Sequence, residues 1–333
     1  MVSGLPITYR APAFTAGDRV LIVAVHPDDE TLATGGLIQA AHAAGAAVRV
    51  VFVTDGDDNP WPQRWLERRW RIDAAARRRW GARRRDEARA ALATLGIEAD
   101  AARFLGLPDQ GLTALLVAGD ALERALRSAI DAFDPSWIAG PSRADRHPDH
   151  SAVAVALDRI GQISGRPVPA QRLAAIVHGA IDTADVALAL DAAASHRKRE
   201  ALAAHRTQLA LSRGRLERMA APVERYTSEA GPSSSGLLTL PFAPHRRRLA
   251  RHALLIVAEG EGGAVERRCL DLPPHRRPDA DSALPFGWRL TVEPRTLTLR
   301  PGVASGPLYA KIDRLGPRWI VFDADGWHRW LPR

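Results

Sequence analysis

The chain has 333 residues, 46% of them hydrophobic, enough to bury a substantial core and to exclude a chain disordered throughout. A formal charge of +8 raises nucleic acid as a partner, but Lys198 and Lys311 are the only lysines among 46 basic residues, an arginine bias that a GC-rich coding sequence explains equally well. The single cysteine, Cys269, excludes an intrachain disulfide framework and a thiolate-rich metal site, and no apolar stretch approaches the roughly 18 residues of a membrane span.

Met1 to Ala16 carries Pro6, Arg10 and Pro12 and lacks the apolar run of a secretory signal, so a cytoplasmic protein is expected. Val20 to Val25 reads as a strand and runs into His26-Pro27-Asp28-Asp29-Glu30, followed by a helical stretch near Thr31 to Ala44. A second strand, Val48 to Val53, ends at Thr54-Asp55-Gly56. The next segment, 60–85, holds ten arginines against Glu67 and Asp73, together with Trp61, Trp65, Trp70 and Trp80. One reading makes it a lid for an anionic or lipid-linked glycan; the plain one is an amphipathic helix with its tryptophans on the core, and membrane-surface docking is a third.

Helices are expected at Ala82 to Leu95, Ala118 to Phe133 and His150 to Ile160, and strands at Ser136 to Ala139 and Leu173 to Val177. This alternation predicts an α/β fold, a Rossmann-like, mostly parallel sheet with flanking helices. Ligands of such sheets gather beyond the carboxyl ends of the strands, where His26 and His147 fall. The first strand is not followed by G-x-G-x-x-G, and neither a P-loop nor a G-x-S-x-G elbow occurs, so dinucleotide binding and serine hydrolysis lack support. His178 reads as a packed strand-end histidine, and Lys198 and His205, on the helical stretch Asp191 to Leu211, as structural.

Past Gly231-Pro232-Ser233-Ser234-Ser235-Gly236 the composition changes to short β-like runs at Ala253 to Val257, Trp288 to Val292, Thr296 to Leu299 and Trp319 to Phe322, with Asp325-Gly326 as a hairpin signal. The expected division is a first domain over 1–231 and a small β-rich domain over 232–333.

The chemistry concentrates in two clusters, His26-Pro27-Asp28-Asp29-Glu30 and His147-Pro148-Asp149-His150. Each sets two ligand-type side chains three residues apart, on one face of a helix start. Imidazole and carboxylate suit Zn²⁺, and His26, Asp29 and His150 supply the three ligands of a catalytic site, leaving Asp28 and His147 beside the metal for proton transfer and charge stabilisation. Fe²⁺ and Co²⁺ are alternatives for the same ligands.

These motifs resemble the zinc-dependent N-acetylsugar deacetylases of the LmbE-like or PIG-L type. The match comprises Ala24 to Glu30, Thr54 to Gly56, Arg84 with Glu87, Leu105 to Asp109, His147 to His150 and, more weakly, Lys198 with His205 to Gln208. The resemblance implies one zinc per chain on His26, Asp29 and His150, Asp28 as general base, a protonated His147 facing the oxyanion, and Asp149 supporting the charge of His147. It also implies sugar-hydroxyl contacts for Asp109 and Arg84, which local pattern alone would assign to a turn and to a solvent-facing helix. Asp145 stands where some members carry a tyrosine, which puts oxyanion stabilisation or substrate gating in question.

The expected activity is therefore removal of an N-acetyl group from a small amino sugar or glycoconjugate. A metal-dependent amidase on a non-sugar N-acyl compound is the alternative within enzymes. A nucleic-acid-binding protein using segment 60–85 is the alternative outside them, and it leaves both metal motifs without a purpose.

Overall fold

A computed structural model describes residues 9–163, 171–180, 184–228, 233–242, 251–272, 284–293, 295–302, 306–315 and 322–332. Its first part runs β1 (Arg19–Ala24), α1 (Asp29–Ala43), β2 (Ala47–Thr54), α2 (Pro60–Glu67), α3 (Ala74–Thr94), β3 (Ala102–Leu107), α4 (Leu112–Ala118), α5 (Ala121–Phe133), β4 (Trp137–Pro141), α6 (Pro148–Ile163) and β5 (Gln171–Ala175). The five strands pair in parallel in the order β3-β2-β1-β4-β5.

Burial on both faces explains the unbroken apolar runs of β1 and β2. On one face Leu21, Val23, Val51 and Val53 meet α4, α5 and α6; on the other Val20, Ile22, Val50 and Phe52 meet α1, α3 and a later helix, α7 (Ala192–Ala204). From β1 the chain winds outward through β2 and β3, then returns to lay β4 against the free side of β1. Connections therefore leave β1 and β4 in opposite directions, opening a crevice between their carboxyl ends. His26 and His147 follow those two ends.

Several boundaries differ from the sequence reading for local reasons. Helix α3 starts at Ala74, earlier than expected, because the Asp73 carboxylate caps it by accepting from Ala76 N–H at 2.7 Å. The stretch 118–133 is interrupted by Gly119 and Asp120, so α4 and α5 are separate. The stretch 191–211 breaks at His205, where α7 gives way to α8 (Arg206–Met219). Strand β3 escapes the periodicity because it lies on the sheet edge and carries Arg103 and Gly106.

A two-stranded antiparallel ribbon, β6 (Val186–Ala189) with β7 (Val223–Tyr226), leads into the C-terminal region. That region is β-rich, as expected. It comprises β8 (Ser233–Ser234), β9 (Leu238–Pro241), β10 (Arg251–Glu259), β11 (Val265–Leu272), β12 (Arg289–Val292), β13 (Thr296–Arg300), β14 (Leu308–Leu315) and β15 (His328–Trp330). They form a five-stranded sheet, β11-β10-β14-β15-β8, over a three-stranded one, β12-β13-β9, enclosing Leu254, Ile256, Leu297, Leu299 and Trp330. The opposite face of β10 and β14 offers Leu255, Val257 and Tyr309 to the same apolar cluster as α4 and α6, so the region shares a core with the first part. Asp325-Gly326 lies in a bend before β15 and is not a two-residue hairpin. The expected boundary near 231 and most of the run Trp319 to Phe322 lie outside the described residues.

Candidate active site

The first cluster is organised by an unusual backbone. Asp28 holds φ 137°, ψ −26°, far from the left-handed well that Arg68 occupies. Such a conformation persists only where neighbours over-determine it. Here Asp28 N–H donates to Glu30 Oε2 at 2.9 Å, and its carbonyl accepts from Thr31 and Leu32 N–H at 3.1 and 2.9 Å, starting α1. Glu30 is fixed in turn by His205 at 2.8 Å and the Thr31 hydroxyl at 2.7 Å, which gives buried His205 its structural task. Asp29 then sits at the positive end of α1 and accepts His26 N–H at 2.8 Å.

The second cluster is held from behind by Asp145. Its carboxylate accepts from the N–H groups of His147, Val177 and His178 at 2.8, 2.7 and 3.1 Å and faces His150 Nδ1 at 3.2 Å. Burial opposes its charge, yet His150 beside it and these hydrogen bonds bring the Asp145 pKa down to about 2. Pro148 opens α6 at its first position, and one helical turn carries His150 toward β1.

Together the clusters bring His26 Nδ1, Asp29 Oδ2 and His150 Nε2 to pairwise separations of 3.5, 3.2 and 3.2 Å. A tetrahedral zinc with ligands at about 2.0–2.1 Å separates its donors by about 3.3–3.4 Å, so these side chains fit such an ion without rearrangement. Each histidine also has a carboxylate at its other nitrogen, Asp109 Oδ1 at 3.2 Å from His26 Nε2 and Asp145 at His150. That is the outer arrangement by which metal-ligating imidazoles are oriented. Burial lowers the His150 pKa, but Asp29 and Asp145 outweigh it and lift the pKa to about 10; burial likewise acts against His26, whose pKa Asp109, Asp149 and Asp29 raise well above its ordinary value. The carboxylates thus create a strong demand for positive charge. Overlapping donor sets, His26/His147/His150, Asp29/His150/His178 and His26/Asp109/Asp149, lie in the same cluster, each with its atoms within 4.8 Å.

Burial, above all, raises the Asp28 carboxyl; Arg84, 3.5 Å away, opposes this while Asp29 adds to it, and the pKa stands at about 6. His147 is driven the other way, well below its ordinary pKa, by burial and by the neighbouring His26, His150 and His178 rings. Its Nδ1 accepts Asp149 N–H at 3.2 Å, leaving the hydrogen of a neutral ring on Nε2. Against the sequence expectation of a protonated His147, these neighbours oppose its charge, and a neutral ring would present an Nε2–H donor. The expectation for Asp149 also changes. Its carboxylate accepts Gln110 and Leu112 N–H at 2.7 and 3.0 Å and faces His26 Nε2 at 3.6 Å, so it secures the turn into α4 and meets His147 through its backbone.

Arg84 is buried. Its guanidinium donates to the Gly56 and Pro27 carbonyls at 2.7 and 2.5 Å, bracing the bend at Asp28. Asp109, besides facing His26, accepts Asp58 N–H at 2.7 Å. His26, Asp28, Asp29, Arg84, Asp109 and His147 all line one cavity of about 150 Å³, with His150 and Asp149 behind them. His178, Gln208, Arg215 and Phe322 also line it; of these, only Gln208 fell within the sequence match. The signal for His178 was its position after β5, the same strand-end rule that picked out His26 and His147. Its ring lies 5.1 Å from that of His150. Lys198 is buried elsewhere, 2.6 Å from Glu224.

A larger, open cleft of about 590 Å³ follows edge strand β3, lined by Arg49, Arg85, Arg89 and Arg103 with Asp55 and Asp100, apart from the histidine–carboxylate cluster. Of the tryptophans in segment 60–85, Trp80 is buried as the plain reading expects, whereas Trp61, Trp65 and Trp70 are 48%, 67% and 76% exposed. Among the described residues no helix is long and apolar enough to cross a membrane.

Residues 21–160 match the family model described as PIG-L, GlcNAc-PI de-N-acetylase. A 1D-myo-inositol 2-acetamido-2-deoxy-alpha-D-glucopyranoside deacetylase of Mycolicibacterium vanbaalenii is 35% identical over 152 residues, 40% of this chain and 50% of that protein. Its namesake from Mycolicibacterium gilvum is 36% identical over 148 residues, with the same shares. The alignments span about half the length of these relatives. The N,N'-diacetylchitobiose deacetylase from Pyrococcus horikoshii aligns with 63% of this chain and 82% of its own, at 18% identity and a TM-score of 0.48.

Proposed function

With residues 21–160 belonging to the PIG-L family, we propose that the chain is a metal-dependent hydrolase that removes an N-acetyl group from an amino sugar or its conjugate. The observation that carries this reading is the convergence of His26, Asp29 and His150 donor atoms to within 3.5 Å, beside Asp28 and His147 on one cavity. The relatives are named for deacetylation of an amino-sugar conjugate, which supplies the substrate class.

His26, Asp29 and His150 would hold the metal, with zinc the natural choice for two imidazoles and a carboxylate and Fe²⁺ or Co²⁺ as alternatives. When bound, the metal supplies Lewis acidity toward water and toward the amide carbonyl. Asp28, ionised near pH 7 and close to its own pKa, takes a proton from the attacking water. The water oxygen bonds to the carbonyl carbon, and His147 donates Nε2–H to the carbonyl oxygen as negative charge grows there. A neutral imidazole is a weak acid, so the departing amine receives its proton from Asp28 as the C–N bond breaks and acetate forms. Asp109 and Asp145 orient the two ligating histidines. Arg84 and Asp109 offer polar edges to sugar hydroxyls, and Arg215 with the arginines of segment 60–85 favours an anionic substituent on the sugar.

Acetate release from a panel of N-acetylated sugars and nucleotide sugars, by zinc-reconstituted protein and its Asp28→Ala variant, tests the proposal. Release by the parent and its loss in the variant are expected. Release from acyclic N-acyl amides alone would move the assignment to a non-sugar amidase, and no release from any substrate by metal-loaded protein would refute deacetylation.

A further inference from the structure

The C-terminal region reaches the cavity. Residues 322–327, which lead into β15, run along the 143–146 loop that delivers His147. Asp323 N–H donates to the Arg146 carbonyl at 2.8 Å, Arg146 Nε–H donates to the Asp323 carbonyl at 3.0 Å, and Trp327 N–H donates to the Arg143 carbonyl at 2.9 Å. Trp327 is fully buried, and Lys311 of β14 forms a buried ion pair with Asp323. Gly326 passes so close to the Arg143 carbonyl that a Cβ would overlap its oxygen. Ordered backbone bonds on both sides of the contact make it a fixed seam.

The seam fixes Phe322 in the cavity wall. Its ring centroid lies 4.8 Å from that of His178 at an interplanar angle of 35°, and 6.1 Å from that of His147, edge on. Phe322 is the one carbocyclic aromatic among the described residues lining this cavity; most of the others are polar or charged. An amino sugar in its ring form has the matching division, with hydroxyl and amide groups around its edge and C–H groups on its faces. A rigid aromatic ring covers such a face at low entropic cost and excludes water from it, while polar neighbours take the edge.

We propose that Phe322, supplied by the C-terminal region from outside the segment that matches the family, is the platform for the apolar face of the pyranose ring and sets the preference for ring-form sugars over acyclic amides. This inference rests on the deacetylase reading above. It makes the region beyond residue 231 part of the substrate site.

The test compares zinc-loaded parent, Phe322→Ala, Phe322→Tyr and Gly326→Ala by steady-state hydrolysis of methyl N-acetylglucosaminide, by inhibition with acetate, and by bound metal. Phe322→Ala should raise KM about 10- to 100-fold, the range expected for losing a buried aromatic contact, with kcat within about 3-fold and acetate inhibition and metal content unchanged. Phe322→Tyr should restore KM, and Gly326→Ala, which displaces the seam without altering the ring, should raise it. An unchanged KM in Phe322→Ala overturns the proposal. So does a fall confined to kcat or an altered acetate inhibition, since Phe322 would then act through His147 or His178. Failure of the parent itself to release acetate refutes the deacetylase reading and the platform with it; activity of the parent with an indifferent Phe322→Ala refutes the platform alone.

Discussion

Asp28→Asn is expected to stabilise the metal-free protein at alkaline pH while stopping acetate release. Burial first, with Asp29 and Glu30 adding their charge and Arg84 opposing, lifts the Asp28 pKa from 3.8 to about 6. Between those values the unfolded chain loses its proton and the folded chain keeps it, so stability falls as pH rises through the window and remains lower above it. About two units at roughly 1.4 kcal/mol each sets a cost near 3 kcal/mol, and the side chain is only 13% exposed, so solvent screening removes little of it. Asparagine carries no charge at either pH. It does remove a carboxylate 3.5 Å from Arg84, but that guanidinium keeps its bonds to Gly56 and Pro27, and the net gain should be about 1–3 kcal/mol above pH 6 and near zero below pH 4. Urea unfolding followed by circular dichroism, in chelator at pH 4 and pH 8, measures this. Equal differences at the two pH values, or a variant less stable than the parent at pH 8, would refute the reasoning.

Asp109→Asn should weaken metal binding about 10- to 100-fold by leaving His26 without its orienting carboxylate, read by competition with a chromophoric chelator; unchanged affinity would remove Asp109 from that task. Lys198→Met leaves Glu224 with Gly36, Leu37 and Tyr226 as donors but no countercharge, and should cost about 3–5 kcal/mol in denaturant unfolding with kcat/KM per folded molecule unaltered. Trp65→Ser with Trp70→Ser should change stability by no more than about 0.5 kcal/mol, because both rings face solvent; a loss of several kcal/mol would restore the packed-tryptophan reading. Replacing Arg68, Arg69 and Arg71 by glutamine should raise KM more for a charged glycan than for an uncharged analogue, and equal effects would end the case for anion recognition by that segment.

Much of the site was legible because its parts are local. His26 to Glu30 and His147 to His150 each concentrate ligand-type side chains at a strand-to-helix junction, and strand and helix periods place those junctions without any knowledge of packing. The alternation of elements likewise specified a parallel sheet, since apolar runs buried on both faces require helices on both sides. Where turns or exposed charge interrupted the pattern, as at Gly119, His205 and edge strand β3, the boundaries were lost.

Charge state and partnership were not local. His147 was expected to be protonated, but burial and three imidazoles from different elements together oppose its charge, a balance that depends on distances between residues as far apart as 26 and 178. Asp149 adjoins His150 in sequence, yet its carboxylate is claimed by the 110–112 turn, while Asp145, five residues before His150, holds that ring. Arg84 looked like one more solvated arginine until Gly56 and Pro27 closed around it. Phe322 read only as the end of a β-like run, because its neighbours in the cavity lie more than 100 residues away.

The sequence by itself determined which side chains could bind a metal and on which strand ends they stand, because those properties follow from composition and periodicity along a few residues. Only the tertiary structure decided which nitrogen meets which carboxylate, which histidine has its charge opposed and that the C-terminal region walls the cavity. Each of those depends on burial and on ångström-scale separations between segments that the chain connects only through its fold.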